Sequence, residues 1–494
     1  MRRLGIATLV GLMALSAMLA NPGTGAQAAG TATDGPGALS YFDLARKDCL
    51  GTAANTTSKV WFTVANGVLS DVYFPTIDNT NVATLQYIVT DGSTFTDLQT
   101  RDMTYTVDPL SGSSLDCRVT ATAKSGKYRI TTSYLTDPSR NTVVMQTRFQ
   151  PLVGMLSSYR LYVRFDPTIN GNGGGGSGNG GADSAVVDTS TGHAVPVAYD
   201  TNTTSQAVNR TYAVPVYSAL DASQPFMQVS NGFAGAPSDG LTQLDASHSL
   251  TSVYQSAANG NVVQTAQMDL SSGGSFTLAL GLGTTQAGAV SDAEGTLATS
   301  LNSLQTSFDQ GWSQYDASLT APGPLHGITG TDRASLNREY FYSANVLKAS
   351  EDKTFPGAFV ASLASPWGQA VSAGDPDNTF FGSYREVFAR DLYETWTGLM
   401  ADGDVQSARD AVNFLFDHQQ QTDGSMPRNS LLNGKTAPDS FGTQLDEASY
   451  PIIMAYQMGM TGSALYQNHI KPAANFIIGH GPSFGVERWE EQSG

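Results

Sequence analysis

Glu487-Arg488-Trp489-Glu490-Glu491-Gln492-Ser493-Gly494 sets three carboxylates, an arginine and an indole in the final eight positions of the sequence. Only 14% of the chain is charged, so this density of acid stands above the background. A carboxyl group against an apolar ring has its ionised form disfavoured, which raises its pKa toward general-acid work. A solvated chain end explains the same residues without chemistry. The stretch therefore needs support from elsewhere in the chain.

Phe388-Ala389-Arg390-Asp391 is one source of it. Arg390 beside Asp391 offers donors and acceptors to two sugar hydroxyls, and Tyr384 and Trp396 supply aromatic faces on which a pyranose stacks. A helix cap with a surface ion pair is the plainer account of the same two charges. Asp423-Gly424-Ser425-Met426-Pro427 reads as turn chemistry first and as a ligand loop second. Gln444-Leu445-Asp446-Glu447 opens a helix, and acids in a first turn complement the dipole, so capping suffices there. The six histidines form no HExxH pair, and no Gly-x-Ser-x-Gly elbow occurs. Metal-hydrolase and serine-esterase chemistry are set aside on that ground. Paired carboxylates remain the strongest chemistry in the chain.

Two kinds of element must position these residues. From about residue 40 to 285 the hydrophobic period is two. Val60 to Val64 and Val68 to Phe74 flank Asn66-Gly67, the strongest short hairpin signal. Tyr159, Leu161, Val163 and Phe165 alternate with Arg160 and Arg164, giving one apolar and one polar face. Many such runs without a long helix predict a large antiparallel sandwich. The Gly- and Asn-rich run at 170–181 lacks the Gly-Lys-Ser/Thr ending of a phosphate cradle and reads as a loop. Near residue 290 the period changes. Leu297, Leu301, Leu304, Phe308 and Trp312 predict one amphipathic helix, ended by Ala321-Pro322-Gly323-Pro324. Beyond it, helices are predicted over 332–350 (Leu336, Tyr340, Ala344 and Leu347 on one face), 391–400, 404–420, 443–460 and 463–480. The long connections at 351–384 and 421–442 are of the kind that carry function.

At 494 residues the chain exceeds one ordinary core, so several domains are expected. The net charge of −17 argues against nucleic acid as a partner. Met1-Arg2-Arg3, the apolar run to Ala20 and Ala26-Gln27-Ala28 have the anatomy of a secretory signal peptide cut near Ala28. A secreted protein with no membrane association after cleavage is the expectation. Cys49 and Cys117 are the two cysteines; export permits a disulfide, and two free thiols remain the alternative.

Gly357-Ala358-Phe359-Val360-Ala361-Ser362, the 384–391 segment, Asp423 to Pro427, Gln444 to Glu447 and Arg488-Trp489-Glu490-Glu491 stand in an order that resembles the bacterial glucoamylases and glucodextranases of glycoside hydrolase family 15. The resemblance runs over essentially everything after the signal peptide. It implies a multidomain β + α protein: residues 29–289 as an N-terminal antiparallel super-β-sandwich, 290–330 as a linker helix and boundary, and 331–494 as the first part of an (α/α)6 barrel. It implies an exo-acting, inverting α-glucosidase. Glu490 resembles the general acid, and Glu491 the neighbour that binds sugar in the adjoining subsite. Arg390 and Asp391 resemble the pair that grips the terminal glucose. Tyr384, Phe388, Phe441 and Trp489 resemble lining residues. Phe388 and Phe441 depart from the family, which often has Trp at those places; an aromatic is kept and an indole donor lost.

An inverting glycosidase needs a base as well as an acid, about 6.5–9.5 Å apart. The family's base lies far beyond its acid, so the expectation is that the general base is absent from this chain and that hydrolysis by it is weak. Starch, maltooligosaccharides or dextran-type α-glucans are the implied substrates, a monomer is expected, and no cofactor is implied, with a structural calcium left open. The alternatives are glucodextranase action on α-1,6 links, a trehalase- or phosphorylase-type relative, and a non-catalytic carbohydrate-binding fragment.

Overall fold

The computed structural model describes residues 27–38, 46–171, 182–203, 209–323, 327, 330–363, 371–372, 375–379, 383–438, 440 and 443–481. Of the expected leader, only Gln27 and Ala28 fall within these, and most of the Gly-rich run at 170–181 falls outside them.

In chain order the first strands are β1 (Gln27–Thr31), β2 (Cys49–Thr52), β3 (Trp61–Ala65), β4 (Val68–Tyr73), β5 (Thr80–Thr90) and β6 (Thr96–Leu98). They are followed by β7 (Met103–Pro109), β8 (Cys117–Ala123), β9 (Tyr128–Thr136), β10 (Thr142–Pro151), β11 (Arg160–Gly171) and β12 (Asp183–Asp188). The last six of the sandwich are β13 (Val195–Asp200), β14 (Val216–Ala222), β15 (Gln228–Phe233), β16 (Ser252–Gly260), β17 (Val262–Gln267) and β18 (Ser275–Gly283). Ten of them form one sheet in the order β1-β16-β12-β13-β14-β18-β10-β9-β8-β7, and the other sheet runs β15-β17-β11-β5-β4-β3-β2, with β6 on β5. The pairings are antiparallel as expected, except β1 on β16, which is parallel.

The two-residue period explains the layering. Leu161, Val163 and Phe165 of β11 face inward against Tyr128, Ile130 and Met145 of the other sheet. The opposite face of β11 is not simply solvated: Arg164 is buried and paired with Asp166 at 2.8 Å and Asp239 at 3.1 Å. Asn66 (φ 51°) and Gly67 (φ 73°) both take positive φ, the conformation that a tight hairpin between twisted strands requires. Cys49 of β2 and Cys117 of β8 form a disulfide within the core, which joins the two sheets.

The single boundary helix expected through Trp312 is two helices, α3 (Gln286–Leu297) and α4 (Leu301–Ser318), after two short ones, α1 (Gln99–Asp102) and α2 (Gly240–Ser247). Ser300 breaks the run by accepting the Ser303 N–H and starting α4 afresh. Ala289 and Val290 of α3 pack on Val195, Val197 and Ala219, on the outer face of the ten-stranded sheet. Leu304, Phe308 and Trp312 of α4 pack on Leu135 and Val144 of the same face.

The helical part comprises α5 (Thr331–Ala349), α6 (Ala389–Asp402), α7 (Val405–Phe414), α8 (Leu445–Gln457), α9 (Ser463–Leu465) and α10 (Lys471–Gly479). π-Helical turns at Leu415–Gln419 and Tyr466–Ile470 extend α7 and join α9 to α10. The connection at 351–384 is not structureless; it carries the hairpin β19 (Val371–Ser372) and β20 (Asp375–Thr379). Leu392, Trp396 and Leu399 form the predicted stripe of α6 and are buried. The stripe expected on α5 holds only in its second half. Ala344 is buried, and the next residue, Asn345, donates to the Ser113 carbonyl of the sandwich, whereas Leu336 is 39% exposed. Among the described residues no helix is long and apolar enough to cross a membrane.

Sandwich and helices share one core. Trp61, Tyr73 and Ile77 lie in the same apolar cluster as Leu392 and Trp396. Polar bonds fix the docking: Trp61 Nε1 donates to the Ala349 carbonyl at 2.9 Å, Tyr73 Oη to the Leu363 carbonyl at 3.1 Å, and the Ile77 N–H to Asp352 at 2.9 Å. Lys353 is half-buried, and desolvation lowers its pKa to about 7. Its Nζ still donates to Thr52 Oγ1 and to the Ala53 and Ser58 carbonyls at 2.6–2.8 Å.

Candidate active site

The chemistry-bearing segment 384–391 lies where three loops meet the N-terminal ends of α6 and α8. Phe388 precedes α6 with an extended backbone and no side-chain cap. The cap comes from α8 instead: Glu447 accepts the Arg390 N–H at 2.9 Å, satisfying one of the donors that every helix start leaves open. The Arg390 guanidinium is held by the same block. Its Nη1 donates to Gln444 at 3.1 Å and to Asp446 at 2.9 Å, and lies 3.1 Å from Glu447.

The electrostatics are uneven. Glu447 is fully buried, and burial pushes its carboxyl up to about 8 against the opposing pull of Arg390. Burial works against the Arg390 cation, but Glu447 and Asp446 outweigh it and hold its pKa above the ordinary value. The Arg390 side chain keeps 21% of its surface exposed, so it is oriented rather than sealed. Asp391 is half-buried in the first turn of α6, and its charge bears on both Arg390 and Glu447.

The surrounding loops are pinned. The Val387 N–H donates to the Ser430 carbonyl and the Ser430 N–H to the Val387 carbonyl, both at 2.9 Å. Gln419 reaches the Val387 carbonyl and Ser430 Oγ at 2.9 Å. Glu386 is buried and accepts from Asn429. Tyr384, half-buried, is fixed through its carbonyl by the Ser362 N–H at 2.9 Å. Phe388 is buried beneath the Arg428 guanidinium, 5.9 Å from its ring centre. The sandwich contributes Tyr73, over which the buried Arg385 guanidinium sits at 5.5 Å.

Tyr384, Phe388, Arg390 and Asp391 all lie on the segment that leads into the first turn of α6. Phe441, Trp489, Glu490 and Glu491 lie outside the described residues. The turn reading of Asp423 holds: it accepts the Ser425 N–H at 3.0 Å and hydroxyl at 2.6 Å, which lowers its pKa. Gly424 adopts φ 89°, and a Cβ there would meet the Pro472 carbonyl of α10 at 2.3 Å. Gln444 precedes α8, and Asp446 and Glu447 stand in its first turn as the sequence suggests, but their hydrogen bonds go elsewhere. Asp446 and Glu447 serve α6 and Arg390, more than 50 residues away in sequence. The signal that could have found them is three hydrogen-bonding side chains in four residues, more than one cap requires.

Comparison with known proteins agrees with this architecture. The family model described as "Glucodextranase, domain N" matches residues 32–317. A glucoamylase from Clostridium sp. (strain G0005) is 36% identical over 464 residues, which cover 94% of this chain and 60% of that protein. A bacterial glucoamylase solved in complex with acarbose superposes with a TM-score of 0.80 at 34% identity, over 93% of this chain and 62% of the other. The chain thus spans about 60% of the length of these relatives.

Proposed function

Because the chain belongs to the family of the glucodextranase N domain and the bacterial glucoamylases, we propose that its helical site binds the non-reducing end of an α-glucan, as part of a secreted, exo-acting, inverting glycoside hydrolase. The observation that carries this reading is the fixed Arg390. A guanidinium oriented by Gln444, Asp446 and Glu447 at the mouth of two helix N-termini offers charge-assisted donors to sugar hydroxyls in a set geometry. Asp391 beside it offers the complementary acceptor.

In this reading Glu490 is the general acid that protonates the glycosidic oxygen, and Trp489, Glu491 and Phe441 are further sugar-binding residues. The acid must arrive protonated and leave its proton on the departing oxygen while water attacks the opposite face. Maltose-type substrates are favoured by the glucoamylase relatives, and α-1,6-linked ones by the name of the N-domain family.

Calorimetric titration of the full chain with maltotriose and isomaltotriose tests the reading. Binding of one or both is expected, and blocking the non-reducing-end glucosyl should abolish it while blocking the reducing end should not. Equal binding of both blocked forms would contradict the exo assignment, and no binding of any α-glucan would overturn the reading.

A further inference from the structure

The outer face of the ten-stranded sheet is divided along its own strands. At one end Leu135 of β9 and Val144 of β10 point outward beneath α4. Further along, the outward positions of the same strands turn polar: Thr131 and Ser133 on β9, Gln146 and Arg148 on β10. This polar half is a groove of 710 Å³ that runs from β8 to β18 and is walled by Ser223 and Leu301.

Three arginines surround its centre. Thr131 stands directly across from Arg148, and across from Thr120 on its other side. Arg118 and Arg129 flank it on β8 and β9, Arg118 donating to Ser133 at 3.2 Å and Arg129 to Thr122 at 3.4 Å. Arg129 and Arg148 are diagonal neighbours, about 7–8 Å apart in such a ladder. Among the described residues no carboxylate reaches salt-bridge distance of any of the three. Asp108 opposes Arg118 in the ladder without closing on it. The lining thus holds three cations and none of the chain's 43 acidic residues, on a protein whose net charge is −17.

We propose that this groove binds an anionic polysaccharide, a glycan chain bearing phosphate or sulfate esters. Planar guanidinium forks match tetrahedral oxyanions in pairs of parallel hydrogen bonds. The Thr, Ser and Gln floor between them matches sugar hydroxyls. The lining's one aromatic, Phe276, is buried in the core, so the groove offers no stacking platform for a neutral glucan. The volume is in the range of ordinary ligand sites. The inference is independent of the reading of the helical site.

Affinity electrophoresis of the full chain at physiological salt tests it, with phosphorylated amylopectin, dextran sulfate or dephosphorylated amylopectin cast in the gel. Retardation by the ester-bearing polymers is expected. It should weaken at least tenfold in the variant R118Q/R129Q/R148Q, whose melting temperature should match the parent because all three side chains are exposed. Retardation by dephosphorylated amylopectin is the business of the helical site and should be the same in parent and variant. Equal retardation of parent and variant by the ester-bearing polymers would overturn the proposal, as would no added retardation by the esters. Competition by inorganic polyphosphate as effective as by the glycans would overturn the assignment to a glycan.

Discussion

Glu447 accepts the backbone N–H of Arg390 at 2.9 Å while its second oxygen lies 3.1 Å from the guanidinium of that same residue. One carboxyl group therefore starts α6 and aims the side chain that α6 presents. Replacing it tests both roles. Glu447→Ala leaves a helix-start donor unpaired and removes one of the three groups around the half-buried Arg390 guanidinium, and should cost about 2 kcal/mol in urea denaturation. Glu447→Gln keeps an acceptor and should cost less.

The same residue gives a signed pH dependence. Its folded pKa of about 8 lies above the ordinary 4.5, so the folded state holds the proton more tightly than the unfolded one. Its contribution is fully present below about pH 4.5 and is lost as pH rises toward 8. The stability difference between parent and Glu447→Gln should therefore shift against the parent from pH 5 to pH 8. A difference that does not change with pH, in paired melts across that range, would contradict the buried, proton-holding Glu447.

How far the sequence reveals this arrangement depends on how local the signal is. The Asn66-Gly67 hairpin and the Leu392, Trp396, Leu399 stripe are legible because turn chemistry and helical period act within a few residues. The role of Glu447 is not, because its partner is 57 residues away and the helix dipole already explains an acid in a first turn. The break between α3 and α4 is hidden for a similar reason: Ser300 interrupts an apolar rhythm that otherwise continues. Arg164 reads as solvated from its alternation, yet the pairing with Asp239 that buries it comes from a distant segment. The order of the blocks, in contrast, pointed to the family.

The Cys49–Cys117 bridge closes a separation of 68 residues across the two sheets. On the loop-closure account it contributes about 4 kcal/mol. Cys49→Ala/Cys117→Ala should lower the melting temperature, and reductant should lower the parent's and leave the variant's unchanged. A peptide map of the unreduced protein should recover the two cysteines in one linked pair.

Lys353 ties the helical part to the sandwich through Thr52 Oγ1 and the Ala53 and Ser58 carbonyls. Lys353→Met preserves much of the side-chain volume and removes the donors. Orphaning the Ala53 and Ser58 carbonyls should cost about 2–4 kcal/mol, seen as a lowered urea midpoint. An unchanged midpoint would show that the docking rests on Trp61 and its apolar neighbours alone.

In the proposed function Arg390, held by Gln444, Asp446 and Glu447, grips the end of an α-glucan. Titrating acarbose into the parent and into Arg390→Lys, with melting curves to show that both are folded, tests it most directly. Loss of a bidentate, charge-assisted contact is worth about 1.5–3 kcal/mol, so affinity should fall about tenfold or more in the folded variant. A folded Arg390→Lys protein that binds acarbose as tightly as the parent would contradict the claim.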